Sequence, residues 1–154
     1  MRNLSSIRKA KKSDRWAIWR LIIKERLNPI NINWKRFIVA VLMDGRVIGC
    51  SQIKQHNDGS HELASLVVHP DYQRQGLARK IMEHQLKSTD MDLYLMCRAE
   101  MGSFYEKFGF TKITGEEMPK FFMRVSRMAS RVNRSHSGDG LLIMQRLSEN
   151  SQLN

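Results

Sequence analysis

The chain has 154 residues, 42% of them hydrophobic, and carries 26 Lys and Arg against 15 Asp and Glu, a formal net charge of +11. That length buries a core for one domain, and no apolar run approaches the length that spans a bilayer. The charge draws polyanions and says nothing of fold.

The first fourteen residues, MRNLSSIRKAKKSD, are charged but lead into no apolar segment, so no secretory signal is expected. The two cysteines, Cys50 and Cys97, lie in apolar runs without a CxxC pair. They read as free buried thiols of a reducing compartment, which points to the cytoplasm, with a disulfide as the alternative, and no metal site is expected.

Leu4–Lys9 alternates weakly as a strand would. Ser13 or Asp14 can then cap a helix. Trp16, Trp19, Ile23 and Leu27 recur at helical steps, Ile18 and Ile22 widen the stripe, and Asn28-Pro29 stops it. Residues 30–35 read as a loop or short helix. Phe37–Met43 is a β-branched run, Asp44-Gly45 a hairpin turn, and Val47–Gln55 the return strand. A second turn at Asn57-Asp58-Gly59-Ser60 leads to a third strand, Leu63–Val68.

A helix from about Gln75 follows, carrying Leu77, Ala78, Ile81, Met82 and Leu86. Asp92–Cys97 is a short apolar strand. Phe104, Tyr105 and Phe108 sit on a brief helix ended by Gly109, and Phe110–Thr114 is a further strand. Pro119 opens a longer helix at its tolerated first turn. Gly138-Asp139-Gly140 breaks it, Leu141–Leu147 closes the sheet, and the last residues read as a disordered tail. The order describes an α/β domain with a mixed sheet.

Gly76 stands at the mouth of a helix, after a strand and among Arg74, Gln75, Arg79 and Lys80. The first N–H groups of a helix have no internal partners, the macrodipole adds positive charge, and a residue without a side chain lets an anion approach. The plainer alternative is a glycine that permits close helix packing. The sequence lacks both GxxxxGK[ST] and GxGxxG, so neither the P-loop nor the dinucleotide fingerprint is present.

The hexapeptide Gln73-Arg74-Gln75-Gly76-Leu77-Ala78 resembles the Gln/Arg-x-x-Gly-x-Gly/Ala signature of the GNAT superfamily of acetyl-CoA-dependent N-acetyltransferases. Tyr105-Glu106-Lys107-Phe108-Gly109-Phe110 matches that family's downstream Tyr-x-x-x-Gly-Phe segment. With the element order, the resemblance covers about Leu4 to Leu147. It implies a GNAT fold, a mixed and mostly antiparallel sheet of about seven strands flanked by helices. It also implies a single domain over 1–148 with a flexible tail at 149–154.

By this resemblance the anion is the pyrophosphate of acetyl-CoA. The expected donors are the backbone N–H groups of Arg74, Gln75, Gly76, Leu77 and Ala78, with the side chains of Gln73, Arg74 and Arg79 as helpers. The main chain of Leu66, Val67 and Val68 matches the strand that pairs with the pantetheine arm. The chemistry is attack of a neutral amine on a thioester. An amine of pKa about 10.4 must lose a proton, and a thiolate of pKa about 8.5, on the cysteine scale, leaves.

Tyr105 falls on the family's general-acid tyrosine, whose alternative is an aromatic in a Phe-rich core; Tyr72 and Tyr94 are weaker candidates. Glu62 is the candidate general base. It stands eleven residues before Gln73, the offset of the catalytic glutamate in the family's histone acetyltransferases. The alternatives are an edge glutamate, or one bridging His61 or Lys54. His56, His61 or His69 can join a water chain in its place.

Many members carry an asparagine where this chain reads Cys97-Arg98-Ala99-Glu100, and Arg98 is its replacement candidate. Cys97 reads as a packed thiol, since the family transfers acetyl directly.

Phe121, Val125, Met128 or Ala129, and Val132 fall on one side of the last long helix. Arg124, Arg127, Arg131 and Arg134 form a basic ridge on another. The expected partners are acetyl-CoA and an unidentified amine, with no membrane and a monomeric or homodimeric state. The competing reading is an inactive GNAT-like module that binds polyanions such as nucleic acid through the ridge.

Overall fold

A computed structural model describes residues 4–132 and 140–153. The expected break at Gly138-Asp139, and Arg134 of the ridge, lie outside the described residues. Seven strands form one sheet in the order β1-β2-β3-β4-β5-β7-β6. They are β1 (Leu4–Lys9), β2 (Phe37–Leu42), β3 (Val47–Gln55), β4 (His61–Val68), β5 (Leu93–Arg98), β6 (Thr111–Lys112) and β7 (Leu141–Arg146). The helices are α1 (Arg15–Lys24), α2 (Leu77–Lys87), α3 (Gly102–Glu106), α4 (Lys120–Val132) and α5 (Glu149–Gln152). This is the mixed, mostly antiparallel sheet flanked by helices that the sequence implies. The chain forms two compact units, one of residues up to Ile53 with Leu63–Thr89, the other of Lys54–Glu62 with the chain from Asp90 onward.

In the first unit β2 runs antiparallel to β1 and β3. All six residues of FIVAVL are buried, because each face of β2 receives a helix. Phe37, Val39 and Val41 pack with Ile18, Leu21 and Ile22 of α1. Ile38, Ala40 and Leu42 pack with Leu77 and Ile81 of α2. Alternation along a strand sends successive side chains to opposite faces, so a strand covered on both reads as a continuous apolar run.

The period expected for α1 is present, but its buried row is different. Trp16 and Trp19 are 62% and 46% exposed, and Ile23 and Leu27 are exposed as well. Ile18, Leu21 and Ile22 at spacings of three and four make an equally periodic row, and that row faces the sheet. The helix also ends before Asn28-Pro29. Arg26 turns left-handed at φ 56° and Leu27 N–H reaches back to Ile22 C=O at 3.0 Å, which closes the helix by a terminal reversal.

In the second unit β7 pairs antiparallel with β5 and with the two residues of β6. The β4–β5 ladder is parallel, with His61 opposite Leu93 and Glu62 opposite Tyr94. Phe122 of α4 is the buried anchor against Ile113 and Ile143. The expected apolar row named Phe121 instead; that ring is only half-buried, and Met128 is 62% exposed. Residues 149–152, expected to be disordered, form α5. Ser148 N–H donates to Asp92 at 2.7 Å, the Ser151 hydroxyl donates to Asp92 at 3.1 Å, and the Asn150 amide donates to Asp90 at 3.1 Å. Two aspartates before β5 thus tie down a polar segment that lacks apolar anchors.

Candidate active site

The first unit carries the turn. Ser65, in the middle of β4, takes a left-handed backbone at φ 56°. The Gln52 amide donates to its hydroxyl at 2.8 Å, and the Cys50 thiol lies 3.7 Å from its carbonyl. This left-handed residue interrupts the extended backbone geometry of β4 just before Leu66, Val67 and Val68. After β4, the Gln73 side-chain amide donates to Val68 C=O at 2.9 Å, and the Gln75 amide donates to Asp71 C=O at 3.3 Å. Both glutamines therefore brace the loop.

Arg74 at φ 60° and Gly76 at φ 77° are both left-handed, so two of three successive residues take the geometry that curls N–H groups into a concave nest. Gly76 caps α2 without offering a side-chain acceptor. The first bond of the α2 ladder runs from Lys80 N–H to Gly76 C=O at 3.2 Å, which leaves the N–H groups of Leu77, Ala78 and Arg79 outside it. A Cβ built on Gly76 would meet no atom within 4 Å. Close helix packing, the plainer account of this glycine, is thereby excluded. The position favours glycine for its backbone angle, φ 77°, and keeps open space above the helix mouth. Residues 73–76 and Arg79 are exposed, and Leu77 is buried beneath them.

The second unit carries the titratable groups. Glu62 is 6% exposed, and its Oε2 lies 2.7 Å from His56 Nε2. An ionised carboxylate only accepts, so with Glu62 charged the proton of that bond sits on Nε2. The His56 ring stacks on Phe121 at 3.5 Å between centroids and meets Phe122 edge-on at 5.7 Å. Phe121 is itself fixed, because its N–H, in the first turn of α4, donates to Asp58 at 2.9 Å. The Asp58 carboxyl feels burial, which raises its pKa. Hydrogen bonds from the Ser60 hydroxyl, Phe121 N–H and Ser60 N–H outweigh this and hold it at about 2. Asp58, Phe121, His56 and Glu62 thus form a connected chain of contacts.

Where the sequence offers a bridging role for Glu62 as the alternative to a base, it offers His61 or Lys54 as the partner; the partner in the structure is His56. His56 N–H bonds Ser60 C=O at 2.9 Å across the turn, which makes residue 62 a diagonal neighbour of residue 56, within reach of a long side chain. The four-residue turn at 57–60 was the available signal. The stack with Phe121 joins residues 65 positions apart and had none.

Tyr105 of α3 is half-buried among Phe104 at 5.1 Å and Phe110 at 6.2 Å between ring centroids. Burial, reinforced by Cys97, pushes its hydroxyl up to about 12. Cys97 is free, its thiol raised by burial, with its sulfur 4.0 Å from Met144 Sδ. Cys50 is also free and buried, and burial pushes it up to about 12. Neither thiol is activated as a nucleophile. Arg98 is exposed and lies 3.8 Å from Glu100. Among the described residues no cluster of three or more His, Cys, Asp or Glu is placed to hold a metal, and no helix is long and apolar enough to cross a membrane.

The family model for the acetyltransferase (GNAT) domain matches residues 33–112, which spans β2 through β6 and includes the turn, Glu62 and Tyr105. The chain belongs to the GNAT acetyltransferase family. A curated relative, the amino-acid acetyltransferase of Vibrio atlanticus, is 26% identical over 103 residues, 64% of this GNAT chain and 23% of that protein. The chain thus spans about a quarter of the length of that relative.

Two solved structures share the fold. Rv2747 from Mycobacterium tuberculosis, in complex with CoA and NLQ, superposes with a TM-score of 0.69 at 20% identity, over 93% of this chain and 99% of that one. The N-acetylglutamate synthase of Neisseria gonorrhoeae, complexed with coenzyme A and N-acetyl-glutamate, gives 0.67 at 20% identity, over 92% and 34%.

Proposed function

We propose that this chain is an N-acetyltransferase that passes the acetyl group of acetyl-CoA directly to a primary amine. The carrying observation is Gly76, a left-handed residue at a helix mouth with open space where its Cβ would stand. In this reading the N–H groups of the turn and of the first turn of α2 receive the pyrophosphate, with Arg74 and Arg79 adding charge. The main chain of Leu66–Val68 receives the pantetheine arm. The CoA-bound relatives support this choice of co-substrate, and the names amino-acid acetyltransferase and N-acetylglutamate synthase make an α-amino group the first acceptor to test.

Tyr105, the general-acid candidate of the sequence, assists departure of the CoA thiolate, which leaves as the anion and takes its proton from solvent. A hydroxyl at about 12 facing a thiol of roughly 8.5 would give up its proton uphill by roughly 5 kcal/mol. Tyr105 therefore works as a hydrogen-bond donor to the sulfur as negative charge grows on it, a charge-assisted bond that is strongest when the C–S bond breaks. Glu62 acts as the general base toward the amine, directly or through a water, and His56 holds its carboxylate in one orientation. A buried carboxylate with a single fixed partner keeps a lone pair free for this proton.

The test is calorimetric titration with acetyl-CoA, followed by thiol-release assays over a panel of amino acids and amines. Saturable binding and amine-dependent CoA release are expected. A wild-type protein that binds no acetyl-CoA would overturn the proposal.

A further inference from the structure

Residues 8–36 hold ten Lys and Arg against Asp14 and Glu25, a net +8 out of the +11 of the whole chain, and all three of its tryptophans. Asp14 is buried and bonded to Arg8 at 2.7 Å, so it presents no negative charge outward.

On α1, Trp16, Trp19 and Ile23 fall at steps of three and four on the face opposite the buried row, and each is exposed. Beyond the helix the apolar exposure continues through Leu27 at 37% and Ile30 at 73%. Trp16, Trp19, Ile32 and Trp34, with Arg15, line a groove of about 280 Å³. The Arg15 guanidinium lies 5.2 Å from the Trp16 ring centre and Lys35 Nζ 5.9 Å from that of Trp34. Exposed contiguous apolar surface on one element marks an interaction site.

We propose that this face docks on the surface of an anionic lipid bilayer, with Trp16, Trp19, Ile23, Leu27 and Ile30 entering the headgroup region, Trp34 forming the floor of the groove against the core, and the flanking cations facing anionic headgroups. Tryptophan is the side chain that sits at the membrane–water boundary, and exposed Lys and Arg beside it add attraction to anionic lipid. This differs from the absence of a membrane partner expected from the sequence, which rested on spanning length; lying on a bilayer requires none.

The other occupants fit less well. A second copy would bring the same positive face against itself. A nucleic acid would use the cations and stack on the tryptophans, but Ile23, Leu27 and Ile30 offer no π face to a base.

The three tryptophans are the only ones in the chain, so intrinsic fluorescence reports this face alone. The full chain is mixed with vesicles of equal phosphatidylglycerol and phosphatidylcholine, with phosphatidylcholine vesicles as control. The expected result is a blue shift and quenching by brominated lipid on the anionic vesicles only. Arg15→Gln with Lys35→Gln should weaken co-sedimentation about 25-fold, roughly fivefold per cation. Trp16→Ser with Trp19→Ser should abolish it, and Trp16→Ser alone, at the ring that is 62% exposed, should weaken it with an unchanged melting temperature.

Sedimentation without blue shift or quenching would reduce the contact to charge adsorption and overturn the proposal. So would failure to bind anionic vesicles, or a single-stranded oligonucleotide that shifts the emission while vesicles do not. The docking stands independently of acetyl transfer.

Discussion

Gly76→Ala separates the two things a glycine can do at this turn. The added Cβ meets nothing within 4 Å, so packing contributes no penalty, and the cost is the left-handed backbone at φ 77°. That strain is about 1 kcal/mol for a residue with a Cβ, a loss of roughly 2–4 °C in Tm for a domain of this size. Gly45 in the β2–β3 turn has the same features, φ 88° and no atom within 4 Å of a built Cβ. Gly45→Ala should therefore destabilise to the same extent. The variants should part on acetyl-CoA. At position 76 the methyl group occupies the approach to the helix mouth and forces out at least one charge-assisted hydrogen bond. Such a bond contributes about 1.5–3 kcal/mol, so the Kd from calorimetry should rise roughly tenfold to a hundredfold. Gly45→Ala should bind as the wild type does. Equal weakening in both variants, or wild-type affinity in Gly76→Ala, would refute the assignment of the pyrophosphate to this turn.

Tyr105→Phe should lower kcat by about a hundredfold or more while leaving the Kd for acetyl-CoA unchanged; steady-state turnover at saturating acetyl-CoA reads this. Burial, then Cys97, holds Tyr105 at about 12, above its ordinary value near 10. Its contribution to stability is thus present below pH 10 and lost as pH rises toward 12, and urea denaturation of Tyr105→Phe should show a shallower alkaline loss than the wild type. Asp58→Ala removes the acceptor for Phe121 N–H and should lower stability by about 1 kcal/mol at neutral pH. Because Asp58 sits at about 2, its contribution is present above pH 4 and fades as pH falls toward 2, so the variant and wild type should converge in acid denaturation. His56→Ala leaves the buried Glu62 carboxylate without its 2.7 Å partner and should cost about 1.5–3 kcal/mol. His56→Gln, which keeps a donor, should recover much of that, and an Ala variant as stable as wild type would show that the bond contributes nothing.

What was legible in the sequence followed from short-range physics. The β2–β3 hairpin could be read because Asp44-Gly45 admits only a tight reversal, and FIVAVL because a doubly covered strand has no polar position to alternate with. Gly76 could be read because a glycine between a strand and an apolar helix has few explanations, and packing, the rival one, needed only a distance to dismiss. Where the reading went astray, two answers shared one period. On α1 both the Trp16–Trp19–Ile23 row and the Ile18–Leu21–Ile22 row repeat at helical steps. Periodicity fixes that a helix is amphipathic but not which row meets the sheet when both are apolar.

The site shows the same limit from the other side. Glu62 was suspect from its offset to Gln73, but what holds it could not be found by scanning near it. His56 reaches it across a turn, and the ring behind His56 comes from α4, whose first turn is pinned by Asp58 in that same turn. The hairpin tip at 57–60 therefore fixes the start of α4 and, through Phe121, the orientation of the Glu62 carboxylate. A substitution at Asp58, which the proposed chemistry never touches, should consequently alter kcat through the angle at which Glu62 is presented. It should leave affinity for acetyl-CoA unchanged, since the Gly76 turn is built from different hydrogen bonds.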